Sequence, residues 1–347
     1  MSGIRKVLAI SMASKYSTMV IYFASTIIIA RLLTPEEIGI YSVGAAAVAV
    51  AHSIRDFGIT NYLIQEIELT QKRIRTAFTM TGMVAWTLAA IIYSIAPAVA
   101  NFYNEPGLIM ILNVIAINFL LIPFGSVSMT LLRRELKFGK LYWIATASAL
   151  AHAATGVILA ALGYGFMSLA WAGLAGVLVT VVGAGIALPS HFSPKPSLSE
   201  TRRVFNTGSK FSIISIASET GHAAPDLILG KMLGFASLGY FNRALGFARL
   251  FEKGITQGLQ PVMMPYFSKE HREGKNIGEA YCKAIGYFMA IAWPCLIIIG
   301  ILAEPLILIL FGNQWGPAVP LAQVFCIAAA ARALMSVTSS AMSASGH

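Results

Sequence analysis

Apolar stretches long enough to cross a membrane recur along almost the whole chain. A helix needs about 20 residues, at 1.5 Å of rise per residue, to span roughly 30 Å of hydrocarbon. The stretches are continuous or helically periodic, whereas the strands of a membrane barrel alternate apolar and polar residues. The pattern therefore predicts an all-α membrane protein with ten transmembrane helices, at 8–33, 38–56, 76–101, 107–131, 141–162, 166–189, 209–233, 238–264, 280–303 and 317–343.

A turn between two of these helices occurs twice. The sequence ARLLTPEEIGIY at 30–41 aligns without a gap to GKMLGFASLGYF at 230–241. A second similarity joins FYNEPG at 102–107, after the third predicted helix, to FGNQWGP at 311–317, after the ninth. Because self-similarity at a fixed long spacing is the mark of a repeat architecture, we interpret the chain as an internal duplication.

The loop richest in Pro, Ser and Arg divides the two copies. It lies in HFSPKPSLSETRRVFNTGSK, at 191–210, and we predict an N-terminal bundle at 1–190, a linker loop at 191–208 and a C-terminal bundle at 209–347. Six helices per copy would place both bundles in parallel orientation, related by an axis along the membrane normal. Four helices follow the linker, so we expect an incomplete second bundle and a complete core of twelve or more helices.

Composition supports a membrane protein and explains the positive charge. Of 347 residues, 57% are hydrophobic and 12% charged, the mean hydropathy is +0.72 and the net charge is +10. Most Lys and Arg residues fall in alternate predicted loops, whereas Arg31 and Lys231 fall in the opposite ones. By the positive-inside rule this bias places the N-terminus in the cytoplasm of a cell (inner) membrane protein. Since the charge follows topology, it gives no support to a nucleic-acid partner.

Three predicted helices carry ionisable residues inside the membrane. The seventh has Ser212, Ser215, Glu219, His222 and Asp226 at spacings of three or four, which place them on one face. The eighth has a similar face, and the first contributes Lys15. A charge at the bilayer centre costs about 2.5–3.5 kcal/mol on insertion scales, so such a face requires water or a partner charge. Two interpretations stay open, a transport route and pairing between helices. The face of the eighth helix comprises Asn242, Gly246, Arg249, Lys253, Thr256 and Gln260.

Catalytic and cofactor motifs are missing from the sequence. It contains no GxxxxGK[ST], HExxH or GxSxG, and Cys282, Cys295 and Cys326 have no metal-site spacing. We therefore expect no enzyme activity, no cofactor and no metal site.

Four segments resemble the Wzx-type oligosaccharide flippases of the multidrug/oligosaccharidyl-lipid/polysaccharide exporter superfamily. They are ARLLTPEEIGIYSV (30–43), RDFGITNYLIQEIELTQKRIRTAF (55–78), GLQPVMMPYFSK (258–269) and LFGNQWGPAVPLAQV (310–324). In the second segment, Tyr62, Leu63, Ile64 and Ile67 suit either the membrane interface or a plain connecting loop.

The resemblance implies transport of a polyprenyl-pyrophosphate-linked oligosaccharide by alternating access, for exopolysaccharide or O-antigen synthesis. Lys15, Arg55, Arg249 and Lys253 would bind the pyrophosphate or acidic sugars, with Asn242 and Gln260 as further cavity residues. Glu219, His222 and Asp226 would bind a coupling cation or hold the basic residues. Membrane lipids, a polysaccharide polymerase and glycosyltransferases are the candidate partners. A cation-coupled drug exporter and a noncatalytic component of a polysaccharide assembly system stay open as alternatives.

Overall fold

The computed structural model describes the backbone of residues 2–56, 59–66, 68–188, 197, 201–273 and 277–345. Within these ranges, side chains are described except at 2–9, 56, 60–61, 65, 202–214, 253–265, 268–269, 271–272, 277, 336–337 and 339–345. The described residues form helices and connecting turns, without a strand. The α-helices are α1 Ser2–Leu32, α2 Pro35–Asp56, α3 Ile59–Gln65, α4 Gln71–Tyr103, α5 Gly107–Arg134, α6 Phe138–Ala161, α7 Met167–Ala187, α8 Thr201–Met232, α9 Phe235–Arg272, α10 Ile277–Ile301, α11 Ala303–Phe311 and α12 Ala318–Ser345.

Every predicted span coincides with one long helix, which confirms the all-α membrane fold. Among the described residues, eight helices are long and apolar enough to cross a membrane. α8 and α9 occupy the seventh and eighth predicted spans, and their passage through the membrane stays a prediction. The eight are Ile10–Leu32, Pro35–Arg55, Gln71–Tyr103, Gly107–Arg134, Phe138–Ala161, Met167–Ala187, Gly278–Ile301 and Ala318–Met335.

The chain forms two compact units, residues 1–238 and 239–347. In the first unit, α4 packs on α5, α7 packs on α5 and α6, α1 packs on α6, and α8 packs on α2. Large apolar side chains such as Phe119 and Leu108 are fully buried between these helices. In the second unit, α10 packs on α12, and Phe267, Phe288 and Trp315 are fully buried. α8 thus belongs to the first compact unit, although its sequence belongs to the second predicted repeat.

Both copies of the duplicated turn have the same backbone hydrogen bonds. Leu33 donates to Ile29 O at 2.9 Å and Ile38 to Thr34 O at 3.2 Å, and the equivalent bonds from Leu233 and Leu238 have the same lengths. The two turns differ in how the next helix begins. Thr34 forms a capping box with Glu37 at the start of α2, whereas the equivalent Gly234 adopts φ +83° before α9.

The two copies also agree in structure around the second sequence similarity, FYNEPG at 102–107 and FGNQWGP at 311–317. Trp86 Nε1 in α4 donates to Leu120 O in α5 at 3.3 Å, and Trp293 Nε1 in α10 donates to Ala330 O in α12 at 3.2 Å. The turns that follow contain the left-handed residues Asn104, φ 56°, and Gly312, φ 102°. The copies differ in one respect, because α4 is continuous whereas its counterpart is divided at Leu302 into α10 and α11.

The segment after α2 is a helix packed inside the first unit. Tyr62 and Leu63 of α3 are 2% and 1% exposed, in a core cluster with Ile74 of α4. Arg134, at the end of α5, donates to Leu63 O at 2.7 Å, which stabilises the carboxyl end of α3. Neither of the two alternatives describes Tyr62 and Leu63, because they lie in a helix rather than a plain loop and tertiary packing buries them away from the membrane interface. Ile64 is exposed, and Ile67 lies outside the described residues.

Gly39 provides a test of the close contact between α2 and the start of α9. A Cβ atom at this position would collide with the backbone carbonyl of Phe235, at the start of α9. We expect Gly39→Ala to destabilise the folded protein by about 1–3 kcal/mol, the usual cost of overpacking. The thermal unfolding midpoint of the purified protein in detergent measures this effect.

Gly185→Ala is the matched control, because a Cβ there meets open space on α7. It should leave the midpoint unchanged or raise it slightly, since alanine is the better helix former. Equal midpoints for the two variants would contradict the close approach at Gly39.

Candidate functional site

α8 has a polar stripe beside the surface that it packs against α2. Ala223 and Gly230 are buried, and a Cβ at Gly230 would press on the Val43 side chain of α2. Glu219 and Asp226 are half-buried on the neighbouring face, and His222 is exposed. Gly230 thus lets α8 approach α2 closely, while the predicted ionisable residues lie on the neighbouring face.

α9 is two-faced over its described part. Asn242 is half-buried and Arg249 is exposed on one face, while Ala244, Phe247 and Ala248 are buried on the other. The amphipathic pattern predicted for this helix is therefore present where side chains are described. Lys253 and Gln260, which the pattern places on the same face, have side chains outside the described residues.

The polar face of α1 changes character along its length. Lys15 is exposed, and the Thr18 hydroxyl donates to the carbonyls of Ser14 and Lys15. Further along, the Tyr22 ring meets the His152 ring of α6 edge-on, with centroids 5.2 Å apart. The Tyr22 end of this face thus contacts α6, whereas the Lys15 end is exposed.

Arg55 lies inside the first unit, between α2, α4 and α5. Its guanidinium is 5.9 Å from the ring centroid of Phe119, on which His52 also stacks. The residue lines a cavity of about 10 Å³, close to the volume that one water requires, together with hydroxyl groups from α4 and α5. Arg55 is therefore in a narrower and more polar environment than Lys15. The hydroxyl residues are Thr81, Ser126 and Thr130.

Lys231 joins the ends of α8 and α4. Its ammonium group donates to Phe102 O and lies 4.7 Å from the centroid of the Phe102 ring. The adjacent Tyr103 hydroxyl donates to Leu227 O at 3.0 Å. These contacts fix the end of α8 that carries the duplicated turn, so the polar stripe of α8 extends from an anchored end.

Basic residues of other helices also have local partners. Arg73 forms an ion pair with Glu66 at 3.2 Å and donates to Glu68 O. Lys140 donates to Ala187 O at 2.8 Å, and Arg332 forms an ion pair with Glu252 at 2.9 Å. These basic side chains connect neighbouring helices. Lys15 and Arg249, by contrast, are exposed.

Arg243 is a candidate that the predicted stripes did not include. Successive residues of a helix are about 100° apart, so Arg243 lies roughly a quarter-turn around α9 from the face of Asn242 and Arg249. Its guanidinium is 4.7 Å from the ring centroids of both Phe311 and Trp315. The sequence offered one signal for this contact, an arginine in a predicted membrane helix together with the aromatic FGNQW turn. Whether the two meet depends on how α11 packs, which the sequence pattern does not show.

The chain matches a family model described as polysaccharide biosynthesis protein, over residues 28–320. It belongs to this family. The match includes both copies of the duplicated turn and the described parts of α8 and α9, so the polar stripes lie in the region that defines the family.

Two curated relatives have similar sequences. The chain is 27% identical over 318 residues to the succinoglycan biosynthesis transport protein ExoT of Rhizobium meliloti, covering 89% of this chain and 63% of that protein. It is 22% identical over 315 residues to the lipopolysaccharide biosynthesis protein WzxC of Escherichia coli, covering 86% of this chain and 61% of that protein. The chain thus spans about three fifths of the length of these relatives.

A solved structure of the lipid II flippase MurJ, in an inward closed conformation, has a similar fold. The TM-score is 0.76 at 12% identity, with 97% of this chain and 76% of that chain covered. At this identity the likeness establishes the helical architecture. It agrees with the duplicated turns and the paired Trp contacts in supporting a repeated helix bundle.

Labelling of introduced cysteines tests whether the α8 stripe faces water. In a background in which Cys282, Cys295 and Cys326 are replaced, we expect a charged, membrane-impermeant maleimide to modify His222→Cys at least tenfold faster than Ala223→Cys. The reason is that His222 is exposed whereas Ala223 is 4% exposed.

Ile228→Cys separates water from lipid, because Ile228 is an apolar residue of α8 that is 54% exposed. A thiol that faces hydrocarbon is neither ionised nor accessible to the reagent, so this variant should react slowly. Equal rates for His222→Cys and Ile228→Cys would contradict a water-lined stripe.

Proposed function

We propose that the protein is a flippase that moves polyprenyl-pyrophosphate-linked oligosaccharide across the cell membrane, for exopolysaccharide or O-antigen synthesis. The observation that carries the proposal is the set of ionisable residues on the non-packing faces of α8 and α9, within a polysaccharide biosynthesis family. Charges on membrane helices are costly unless they meet water or an ionic partner. A transported anion would be such a partner for the basic residues of this set.

Basic residues of α1, α2 and α9 would supply the chemistry that the substrate requires. A pyrophosphate cannot enter hydrocarbon without its charge being compensated, and Arg offers several N–H donors in a planar arrangement that fits phosphate oxygens. Arg249 and Lys253 would contact the pyrophosphate or acidic sugars from α9, with Lys15 and Arg55 contributing from α1 and α2. Asn242 and Gln260 would bind sugar hydroxyl groups.

The acidic stripe on α8 has a separate role in this proposal. Glu219, His222 and Asp226 would bind the coupling cation or hold the basic residues in position. Alternating access would then expose the polar faces first to one side of the membrane and then to the other. The end of α8 that Lys231 and Tyr103 fix against α4 is the end that must loosen for the site to open there.

The bias of basic residues supports a cytoplasmic N-terminus in the cell (inner) membrane. The duplicated turns then face the outside, and substrate enters from the cytoplasmic leaflet. A polysaccharide polymerase and the glycosyltransferases that build the oligosaccharide are the partners that such a step requires.

Arg249 and Lys253 provide the test of this function. In cells that depend on the protein for polymer export, we expect the double variant Arg249→Ala and Lys253→Ala to abolish surface polysaccharide, because the substrate anion loses its cationic partners. Membrane insertion, measured by the amount of protein in the membrane fraction, should be unchanged.

Lys283→Ala is a matched control in the same unit, because Lys283 is exposed and pairs with Glu279 at 2.7 Å. It should export normally. Normal export by the Arg249 and Lys253 double variant would refute their role, and loss of drug resistance with intact polysaccharide export would favour the drug exporter instead.

A further inference from the structure

The α5–α6 turn, residues 135–137, has a backbone conformation that is uncommon for its sequence. Lys137 N–H donates to Leu132 O at 3.0 Å, and Leu136 N–H donates to Arg133 O at 3.1 Å. This pair of hydrogen bonds at the end of a helix defines a Schellman motif. Leu136 adopts φ 54° in it, where glycine is the usual residue because a Cβ atom makes the left-handed conformation costly. The turn therefore places a leucine on a strained backbone.

Packing inside the protein does not explain this leucine. The Leu136 side chain is 62% exposed, whereas the neighbouring Leu132 is fully buried. Apolar side chains stabilise a fold in proportion to the area that they remove from water, so a side chain this exposed gains little from the core. The strain at Leu136 is thus not offset by the protein interior, and hydrocarbon outside the protein would offset it.

The α5–α6 turn lies at the edge of the membrane. It joins two helices that are long and apolar enough to cross a bilayer, Gly107–Arg134 and Phe138–Ala161, with three residues between them. A connection this short keeps the turn close to the membrane surface. Trp143, 70% exposed near the start of α6, begins an exposed apolar stripe that continues through Leu150 and Ile158. Such a stripe suits lipid, and tryptophan is enriched at membrane interfaces.

Basic residues surround the turn. Residues 133–140 contain four basic residues and one acid, Glu135. Arg133, Lys137 and Lys140 are exposed. Lys137 pairs with Glu135 at 2.5 Å, whereas Arg133 has no ion pair among the described residues. The turn thus combines an excess of positive charge with an exposed leucine, and this is the combination that binds anionic membrane surfaces.

We propose that the α5–α6 turn binds the headgroup of an anionic phospholipid. In this site Arg133 and Lys137 donate to phosphate oxygens, for which arginine offers a planar set of donors. Leu136 lies among the upper acyl carbons, and its contact with hydrocarbon offsets the cost of the left-handed backbone. A phospholipid is the partner rather than a soluble phosphate, because Leu136 requires an apolar environment. The site depends on the membrane fold and not on the transported substrate.

Lipid binding by the purified full chain tests the charged part of the site. The protein in detergent micelles is titrated with phosphatidylglycerol and with phosphatidylcholine, each labelled on an acyl chain, and wild type should prefer phosphatidylglycerol. We expect Arg133→Gln to raise the Kd for phosphatidylglycerol about fivefold, the affinity that one basic residue contributes near an anionic surface. Adding Lys137→Gln should raise it to roughly 25-fold. The Kd for phosphatidylcholine should not change.

Lys283→Gln is the matched control for the charge. Lys283 is an exposed lysine near the start of α10 that pairs with Glu279 at 2.7 Å, as Lys137 pairs with Glu135. This variant should bind phosphatidylglycerol as wild type does, because α10 lacks the strained leucine and the unpaired arginine of the α5–α6 turn.

Two substitutions at Leu136 separate its side chain from its backbone. Glycine and asparagine both tolerate the left-handed conformation, and both remove the apolar side chain. We expect Leu136→Gly and Leu136→Asn to keep or raise the thermal unfolding midpoint, because they relieve strain, and to raise the Kd for both lipids severalfold. Leu162→Asn is the matched control, since Leu162 is 68% exposed at the opposite end of α6. It should leave the Kd for phosphatidylglycerol unchanged.

Three results would overturn the site. The first is an equal Kd for phosphatidylglycerol in wild type and in the double variant Arg133→Gln and Lys137→Gln. The second is a loss of affinity in Lys283→Gln as large as that in Arg133→Gln, since any surface charge would then serve. The third is a lower unfolding midpoint in Leu136→Gly with unchanged lipid affinity, because the leucine would then act in folding. None of these results involves transport, so each leaves the proposed function standing.

Discussion

A membrane helix must satisfy every charge that it carries without help from the surrounding hydrocarbon, and this constraint explains how the cations of this protein are placed. Backbone carbonyls and carboxylates satisfy those near helix ends, as with Lys231 on Phe102 O and Arg134 on Leu63 O. Within the helices, Arg55 and Arg243 lie over aromatic rings. A cation–π contact contributes about 0.5–2 kcal/mol, which offsets part of the cost of burial.

The same constraint separates packing faces from polar faces. α8 packs on α2, with Gly230 against Val43, and its ionisable residues lie beside that contact. α9 buries Ala244 and Phe247 and leaves Arg249 exposed. Each helix therefore has one face that packs and one that carries its ionisable residues.

Much of the fold could be predicted because hydrophobic length and repetition are local properties of the sequence. All ten predicted spans coincide with helices, and the duplicated turn has equal hydrogen bonds in both copies. The failures depend on tertiary contacts. The pattern of Tyr62 and Leu63 suits an interface as well as a core, and packing against Ile74 decides between them. The contact of Arg243 with Phe311 and Trp315 joins residues about seventy positions apart, which helical periodicity cannot show.

Translocation in proteoliposomes measures the proposed flippase activity itself. The purified protein is reconstituted with a fluorescent polyprenyl-pyrophosphate-linked oligosaccharide, and a membrane-impermeant lectin or quencher reports how much substrate reaches the opposite leaflet. The account predicts rapid movement with wild type and background movement with Arg249→Ala and Lys253→Ala. Wild-type movement no faster than in protein-free liposomes, or equal movement with the double variant, would contradict it.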